Sequence, residues 1–208
     1  MAIARRILLA VLVMVGSVSV PSCLFVKAPA PKPVATEQAP LSPVPEITMG
    51  DDIVRSAQGD MIASLPKDWM FLDVHDDVSD DLLAVAVNPE YTLSVVFSVL
   101  PQASTTSEAY ETEGLLGLAR MAYQKHQRKA AGRVSLKESY SVTTLGTRMF
   151  GQYAFSNGAT TTRCAVFCSM LGNFYQCAVV PLTITSRDIP SEREQQAVYS
   201  SILATIQY

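Results

Sequence analysis

Aspartates are concentrated in one short stretch of the chain. Residues 73–81 read DVHDDVSDD and follow the segment that contains the single tryptophan. Carboxylate oxygens suit hard cations such as Ca²⁺ and Mn²⁺. The candidate metal ligands in this stretch are Asp76, Asp77, Asp80 and Asp81. Because the stretch lacks the glycine and the alternating ligands of an EF-hand loop, we interpret it as a solvated acidic turn between two strands, with a metal site as the weaker alternative.

Three cysteines in the second half of the chain flank a turn signal. Gly172-Asn173 separates Cys168 from Cys177, and a two-residue hairpin there places the two thiols directly opposite each other, in a close, non-hydrogen-bonded pair. We therefore expect either a Cys168–Cys177 disulfide or small buried free thiols. Cys164 lies roughly 13 Å along the strand from Cys168, so it should stay unpaired. No histidine lies near these cysteines in the sequence, so a zinc site is not expected.

Catalytic signatures are missing from the sequence. It contains no GxSxG, HExxH, P-loop or GxGxxG motif. Of the two histidines, His75 lies in the acidic stretch and His126 lies near a predicted helix end, where no nucleophile is assigned to it. The sequence therefore favours a protein without enzymatic activity or cofactor, and a hydrolase of unrecognised type remains an alternative.

The charge balance argues against nucleic acid as a partner. The formal net charge is −3, and loss of Arg5 and Arg6 with an export signal would make the mature chain more acidic. An acidic chain repels phosphate backbones. The one basic cluster, residues 125–129, falls in the last turns of a predicted helix, where the helix dipole favours cations.

The N-terminus has the pattern of an export signal. Arg5 and Arg6 are followed by an uncharged apolar run over residues 7–20, which is short for a bilayer core of about 30 Å. A positive start and a short apolar run are typical of a secretory signal peptide. We therefore predict a signal peptide over residues 1–22.

The end of this signal resembles the bacterial lipobox. Val20-Pro21-Ser22-Cys23 has the branched residue, the small residue before cysteine and the cysteine of that motif, and Pro21 departs from it. The resemblance implies a lipidated Cys23, and two or more acyl chains suffice for stable anchoring. An uncleaved anchor and ordinary cleavage with a free cysteine are the alternatives. Leu24, where aspartate would favour inner-membrane retention, slightly favours the outer membrane.

A proline-rich segment separates the predicted anchor from the rest of the chain. Residues 28–46 contain little aliphatic bulk and no periodicity, so they cannot bury enough apolar surface to fold. We predict that residues 23–46 are the anchor and a flexible linker that reaches up to roughly 60 Å in polyproline-like conformers. Residues 47–208 have the size of one domain.

Within this domain, periodicity predicts strands and two helices. Short β-branched runs predict strands at residues 61–65, 70–74, 82–87 and 93–99. A helical stripe predicts a helix over residues 107–130, capped by Thr105 or Ser107, and a second helix that begins at the capping box Ser191–Glu194. Between the helices, two-residue turns at Asn157-Gly158 and Gly172-Asn173 predict three strands, with Phe155 opposite Thr160.

The start of this domain resembles a known family. Residues 61–69, MIASLPKDW, resemble the opening of the PsbP/Mog1/DcrB-like domains, with Asp68 where glycine is usual. The resemblance implies an α+β fold in which helices flank an antiparallel sheet as an α/β/α sandwich. Members of the family include accessory subunits of photosystem II, a Ran-binding protein and bacterial lipoproteins, and most are not enzymes.

Three functions are compatible with these features. The first is an envelope lipoprotein whose periplasm-facing domain is a non-catalytic binding or accessory subunit of a membrane-associated complex. It would contact the membrane through its lipid and a protein partner through its domain. The second is a small-ligand or divalent-metal-binding module, and the third is the unrecognised hydrolase.

Overall fold

The computed structural model describes residues 42–73 and 81–208, which belong to one compact unit, Gln38–Tyr208. Its elements are β1 (Met49–Arg55), β2 (Ile62–Pro66), β3 (Met70–Phe71), β4 (Leu82–Val87), β5 (Leu93–Leu100), α1 (Ser104–Lys129), β6 (Ser135–Leu145), β7 (Arg148–Ser156), β8 (Thr161–Cys168), β9 (Phe174–Pro181) and α2 (Glu192–Thr205). The helix predicted over residues 107–130 and the strands predicted at 82–87 and 93–99 are confirmed. The strands β1 and β6 were missed.

In the part of the chain that the structure describes, nine strands form two antiparallel sheets. The large sheet has the order β3-β4-β5-β9-β8-β7-β6, and β1 and β2 form a separate hairpin. The last four strands are a meander, one strand more than predicted. Its last strand, β9, pairs with β5, so that strand β5 and the end of the meander form the middle of the sheet.

Helices cover both faces of the large sheet. On one face, Ile202 and Leu203 of α2 and Leu65 of β2 pack with Phe97 of β5. On the other face, Leu118 and Ala122 of α1 pack with Tyr153 and Val166. The predicted α+β fold, an antiparallel sheet flanked by helices as an α/β/α sandwich, is therefore confirmed.

The first helix is broken at Gly114. Its φ of 61° and ψ of −141° lie outside the helical region, which separates a short first segment from the longer second one. Neither Thr105 nor Ser107 caps the helix, because it begins earlier, after Ala103, without a side-chain cap. The second segment crosses the sheet closely at Gly151 of β7, where a Cβ atom would lie 2.5 Å from the Leu115 carbonyl oxygen.

The second helix begins as the sequence predicts. Ser191 accepts a hydrogen bond from the Glu194 backbone N–H, and the Glu194 carboxylate accepts one from the Ser191 backbone N–H. This reciprocal capping box satisfies two N–H groups that would otherwise lack partners at the helix start.

The predicted hairpin registers are wrong, although both turns exist. In the first turn Gly158 and Ala159 form the loop, so Phe155 lies opposite Thr162 instead of Thr160. In the second turn the Ser169 backbone N–H donates to the Asn173 carbonyl, which leaves a three-residue loop that ends at Gly172 with a φ of 81°. Such three-residue loops with a left-handed glycine are a common alternative to two-residue turns.

The second shift changes the environment of the cysteines. Cys168 lies opposite Phe174, and Cys177 lies opposite Ala165. Cys168 packs against the core under α1, whereas Cys177 is part of the core under α2. The Cys168–Cys177 disulfide prediction is therefore wrong, because the three-residue loop displaces the strands and puts the two side chains on opposite faces. Cys164, Cys168 and Cys177 are free thiols.

Candidate functional site

A cavity of about 420 Å³ opens between the sheet and the C-terminal turns of α1. Its floor is formed by the two central strands, where Val96 pairs with Ala178 and Ser98 pairs with Gln176. Because Ser98 and Ala178 are small, the sheet surface is recessed at this point. The volume lies within the roughly 300–1,000 Å³ that is typical of small-molecule sites.

Most of the cavity wall is apolar. The apolar lining residues are Leu82, Val96, Leu100, Val134, Phe155, Ala178 and Val180. The uncharged polar lining residues are Ser98, Asn157, Thr162 and Gln176. A wall of this composition takes up apolar groups and offers a few polar contacts that orient them.

The charged residues of the lining lie on α1 and at the start of β4. Lys125 donates a hydrogen bond to the Asp81 carboxylate at 2.6 Å, and both side chains are about one third exposed. Lys129 lies one turn further along the helix and is exposed. From the sequence, the preference for cations at the C-terminal end of a helix is enough to account for these lysines. The structure shows in addition that both of them line one cavity.

His126 forms part of the cavity wall and is uncharged near neutral pH. Burial lowers its pKa, and the neighbouring positive charges of Lys129 and Lys125 lower it further. Its ring also packs against Phe155, with ring centroids 5.0 Å apart. The wall behind the two lysines therefore carries no charge.

A chain of hydrogen bonds holds this histidine in place. The Tyr153 hydroxyl donates to Gln176 Oε1 at 3.4 Å, which directs the amide Nε2 of Gln176 toward His126 Nε2 at 2.9 Å. Since an amide nitrogen is a donor, His126 Nε2 accepts and the ring proton is assigned to Nδ1. The nitrogen that faces Gln176 is therefore engaged and is not available as a base.

The nearest thiol is unsuited to nucleophilic chemistry. Cys164 lies beneath Gln176, whose Nε2 is 3.9 Å from the sulfur, and it is fully buried. Burial raises the pKa of Cys164 to about 12. A thiol with this pKa is protonated at neutral pH, and only the thiolate is a good nucleophile.

The acidic stretch is described only at its two ends. Asp81 is engaged by Lys125, which competes with any cation for its carboxylate. Asp76, Asp77 and Asp80 lie outside the described residues, as does Cys23. Within residues 42–73 and 81–208 no group of three or more metal-ligating side chains comes together. The solvated acidic turn that the sequence favours, and the metal site that is its weaker alternative, both stay predictions.

No helix in the described part of the chain is long and apolar enough to cross a membrane.

The chain is distantly similar in structure to proteins of known structure. No family model matches the chain, and no curated protein matches it in sequence. The solution structure of cyanobacterial PsbP (CyanoP) from Synechocystis sp. PCC 6803 is similar with a TM-score of 0.47 and 12% identity, over 76% of this chain and 92% of that chain. A crystal structure from Bacteroides thetaiotaomicron VPI-5482 is similar with a TM-score of 0.40 and 17% identity, over 74% of this chain and 47% of that chain. Similarities this distant assign the chain to no family, and the fold class follows from the sheet and helices themselves.

Proposed function

We propose that the chain is a non-catalytic binding protein of the cell envelope, which holds a small apolar molecule in the cavity between α1 and the sheet. The observation that carries this proposal is the cavity of about 420 Å³ with its mainly apolar wall. Open apolar volume of this kind is costly to leave in contact with water, and a ligand that fills it gains the free energy of burial.

The chemistry of the lining favours binding over catalysis. His126 Nε2 is engaged by Gln176, and burial keeps the Cys164 thiol protonated. General base catalysis needs a free base within hydrogen-bond reach of a nucleophile. Neither group meets this requirement, so hydrolysis is not part of the proposal.

The test uses the full chain in lipid nanodiscs and a neutral photoactivatable alkyl diazirine. After illumination and digestion, mass spectrometry maps the labelled residues. We expect labelling to concentrate on the lining of the cavity, including Val96 and Ala178, and to saturate with probe concentration.

A matched pair of variants separates the cavity from nonspecific contact. Ser98→Phe fills the cavity from its floor, whereas Thr144→Phe adds the same ring on the exposed strand β6. We expect Ser98→Phe to lose the labelling of the cavity and Thr144→Phe to keep it. Equal labelling of both variants, or labelling spread evenly over the surface, would show that the cavity is not a binding site.

The envelope location is proposed from the N-terminal sequence. The signal-like residues 1–22, the lipobox-like residues 20–23 and the proline-rich residues 28–46 together favour a domain tethered through a lipid on Cys23 and facing the periplasm. Mass spectrometry of the mature N-terminus tests this: a diacylated or triacylated Cys23 is expected. An unmodified Cys23, or a chain that starts elsewhere, would contradict the tether.

A second candidate function is that of an accessory subunit, and an exposed apolar patch favours it. Ile53, Phe71 and Leu72 line a shared groove at the β3 edge of the large sheet, and each is more than 40% exposed. The partner would present an apolar segment to this groove. A photo-crosslinking residue at Leu72 should yield one product of defined mass in cells, and the same residue at the exposed Ile184 should not. Identical products from both positions would contradict this role.

A further inference from the structure

We infer that the natural occupant of the cavity is a free single-chain amphiphile with an anionic head group, such as a carboxylate, held with its head at the lysines and its tail against the sheet. This inference rests on the proposed function and adds the chemical class of the ligand. It follows from how charge, polarity and volume are distributed around the cavity.

Among the described residues that line the cavity, cations outnumber anions by one. Lys125 and Lys129 contribute two cations and Asp81 one anion, and the adjoining His126 is neutral. Lys125 is held by Asp81, but Lys129 forms no ion pair with any described residue. An exposed ammonium beside an apolar cavity favours an anionic group over a neutral or cationic one.

The inner wall gives the ligand a direction. Val96, Leu100 and Ala178 are apolar, and the neutral His126 ring packs on Phe155 behind the lysines. A charged group placed against this wall would lose hydration without gaining a counter-ion. An aliphatic tail placed there would bury apolar surface. The head therefore stays with the lysines and the tail extends inward.

The volume favours one chain. About 420 Å³ is near the lower end of the roughly 300–1,000 Å³ range of ligand cavities. That suits a single chain of medium length better than a two-chain membrane lipid. Decanoate, decanol and decyltrimethylammonium carry the same tail and differ in head-group charge, so they serve as matched probes.

The experiment measures how each probe displaces the neutral alkyl diazirine from the cavity of the full chain in nanodiscs. We expect decanoate to displace it at a concentration roughly twofold to fivefold lower than decanol, as one partly exposed ion pair would provide. Decyltrimethylammonium should be the weakest of the three. Equal displacement by decanol and decanoate would overturn the anionic head group and leave the binding function intact. If the diazirine itself does not label the cavity, the proposed function fails first.

Three variants assign the effect to particular charges. Lys129→Met should weaken the binding of decanoate and leave the binding of decanol unchanged. Arg128→Met removes a neighbouring exposed cation that does not line the cavity, so it is the matched control. Asp81→Asn removes the carboxylate that pairs with Lys125 and should therefore strengthen the binding of decanoate. A misfolded variant would not bind more tightly, so this gain cannot come from misfolding. Equal effects of Lys129→Met and Arg128→Met, or weaker decanoate binding in Asp81→Asn, would contradict the inference.

Discussion

The Tyr175 hydroxyl donates a hydrogen bond to the Asp60 carboxylate at 2.6 Å and so joins the β1–β2 turn to strand β9, 115 residues later in the chain. The same carboxylate accepts from the Ser56 hydroxyl at 2.7 Å, the Asn173 amide at 2.8 Å and the Ser169 hydroxyl. One side chain thereby fixes the separate hairpin to the loop between β8 and β9.

We predict that Asp60→Asn destabilises the domain by about 1–2 kcal/mol, because it removes charge-assisted hydrogen bonds at a partly exposed site. Urea unfolding of the full chain, followed by fluorescence of the buried Trp69, measures the change. Asp51→Asn on the exposed part of β1 is the control and should have little effect. Equal stability of Asp60→Asn and wild type would contradict the anchoring role.

The stabilisation by Asp60 should depend on pH. Burial would raise its pKa, but the hydrogen bonds from Ser169, Tyr175, Ser56 and Asn173 outweigh it and hold the pKa well below its usual range. A depressed carboxyl pKa contributes stability that is fully present above the unfolded value of about 4 and is lost as pH falls below it. The stability difference between wild type and Asp60→Asn should therefore shrink from pH 5 toward pH 2, roughly. A difference that does not change over this range would contradict the assigned cause.

Gly151→Ala should destabilise the domain by roughly 1–3 kcal/mol, since overpacking forces the backbone to shift. The added Cβ would lie 2.5 Å from the Leu115 carbonyl oxygen, on the helix segment that also carries the cavity lysines. Gly50→Ala is the comparison, because its nearest neighbour would be at 3.3 Å. Thermal unfolding of both variants tests the close crossing, and an equally small effect in both would contradict it.

The three thiols of the domain should react in a fixed order. Cys168 is partly buried, whereas Cys164 and Cys177 are fully buried, and burial raises the pKa of both. We expect iodoacetamide to modify Cys168 first and the other two only after unfolding, as peptide mass mapping would show. A peptide pair joined through Cys168 and Cys177 without reductant would contradict the register of β8 and β9.

Local patterns predicted the elements better than their pairing. Alternation over β5 and the capping box at Ser191 are signals within a few residues, and both are confirmed. The turn at Gly172 was recognised, but glycine and asparagine suit two-residue and three-residue loops alike, so the register was wrong. A register error changes the partner of every residue in the two strands. The predicted Cys168–Cys177 disulfide was therefore wrong as well.

The cavity could not be predicted from local patterns. It exists because Ser98 and Ala178, which lie on strands far apart in the chain, are neighbours in the sheet, and because α1 ends above them. The sequence contains a weak signal in Ser98, one of two small serines in the mainly apolar strand β5. Lys125 and Lys129 lie in the last turns of a helix, where the helix dipole is enough to account for them, so their position in the sequence does not indicate a cavity.

The most direct test of the binding proposal is methyl NMR of the full chain in nanodiscs during a decanoate titration. The methyl groups of Val96, Leu100 and Val180 should shift and saturate together, while those of the exposed Leu136 and Val142 on β6 stay constant. Ser98→Phe should abolish these shifts. Unchanged cavity methyls, or shifts confined to Leu136 and Val142, would contradict a ligand site between α1 and the sheet.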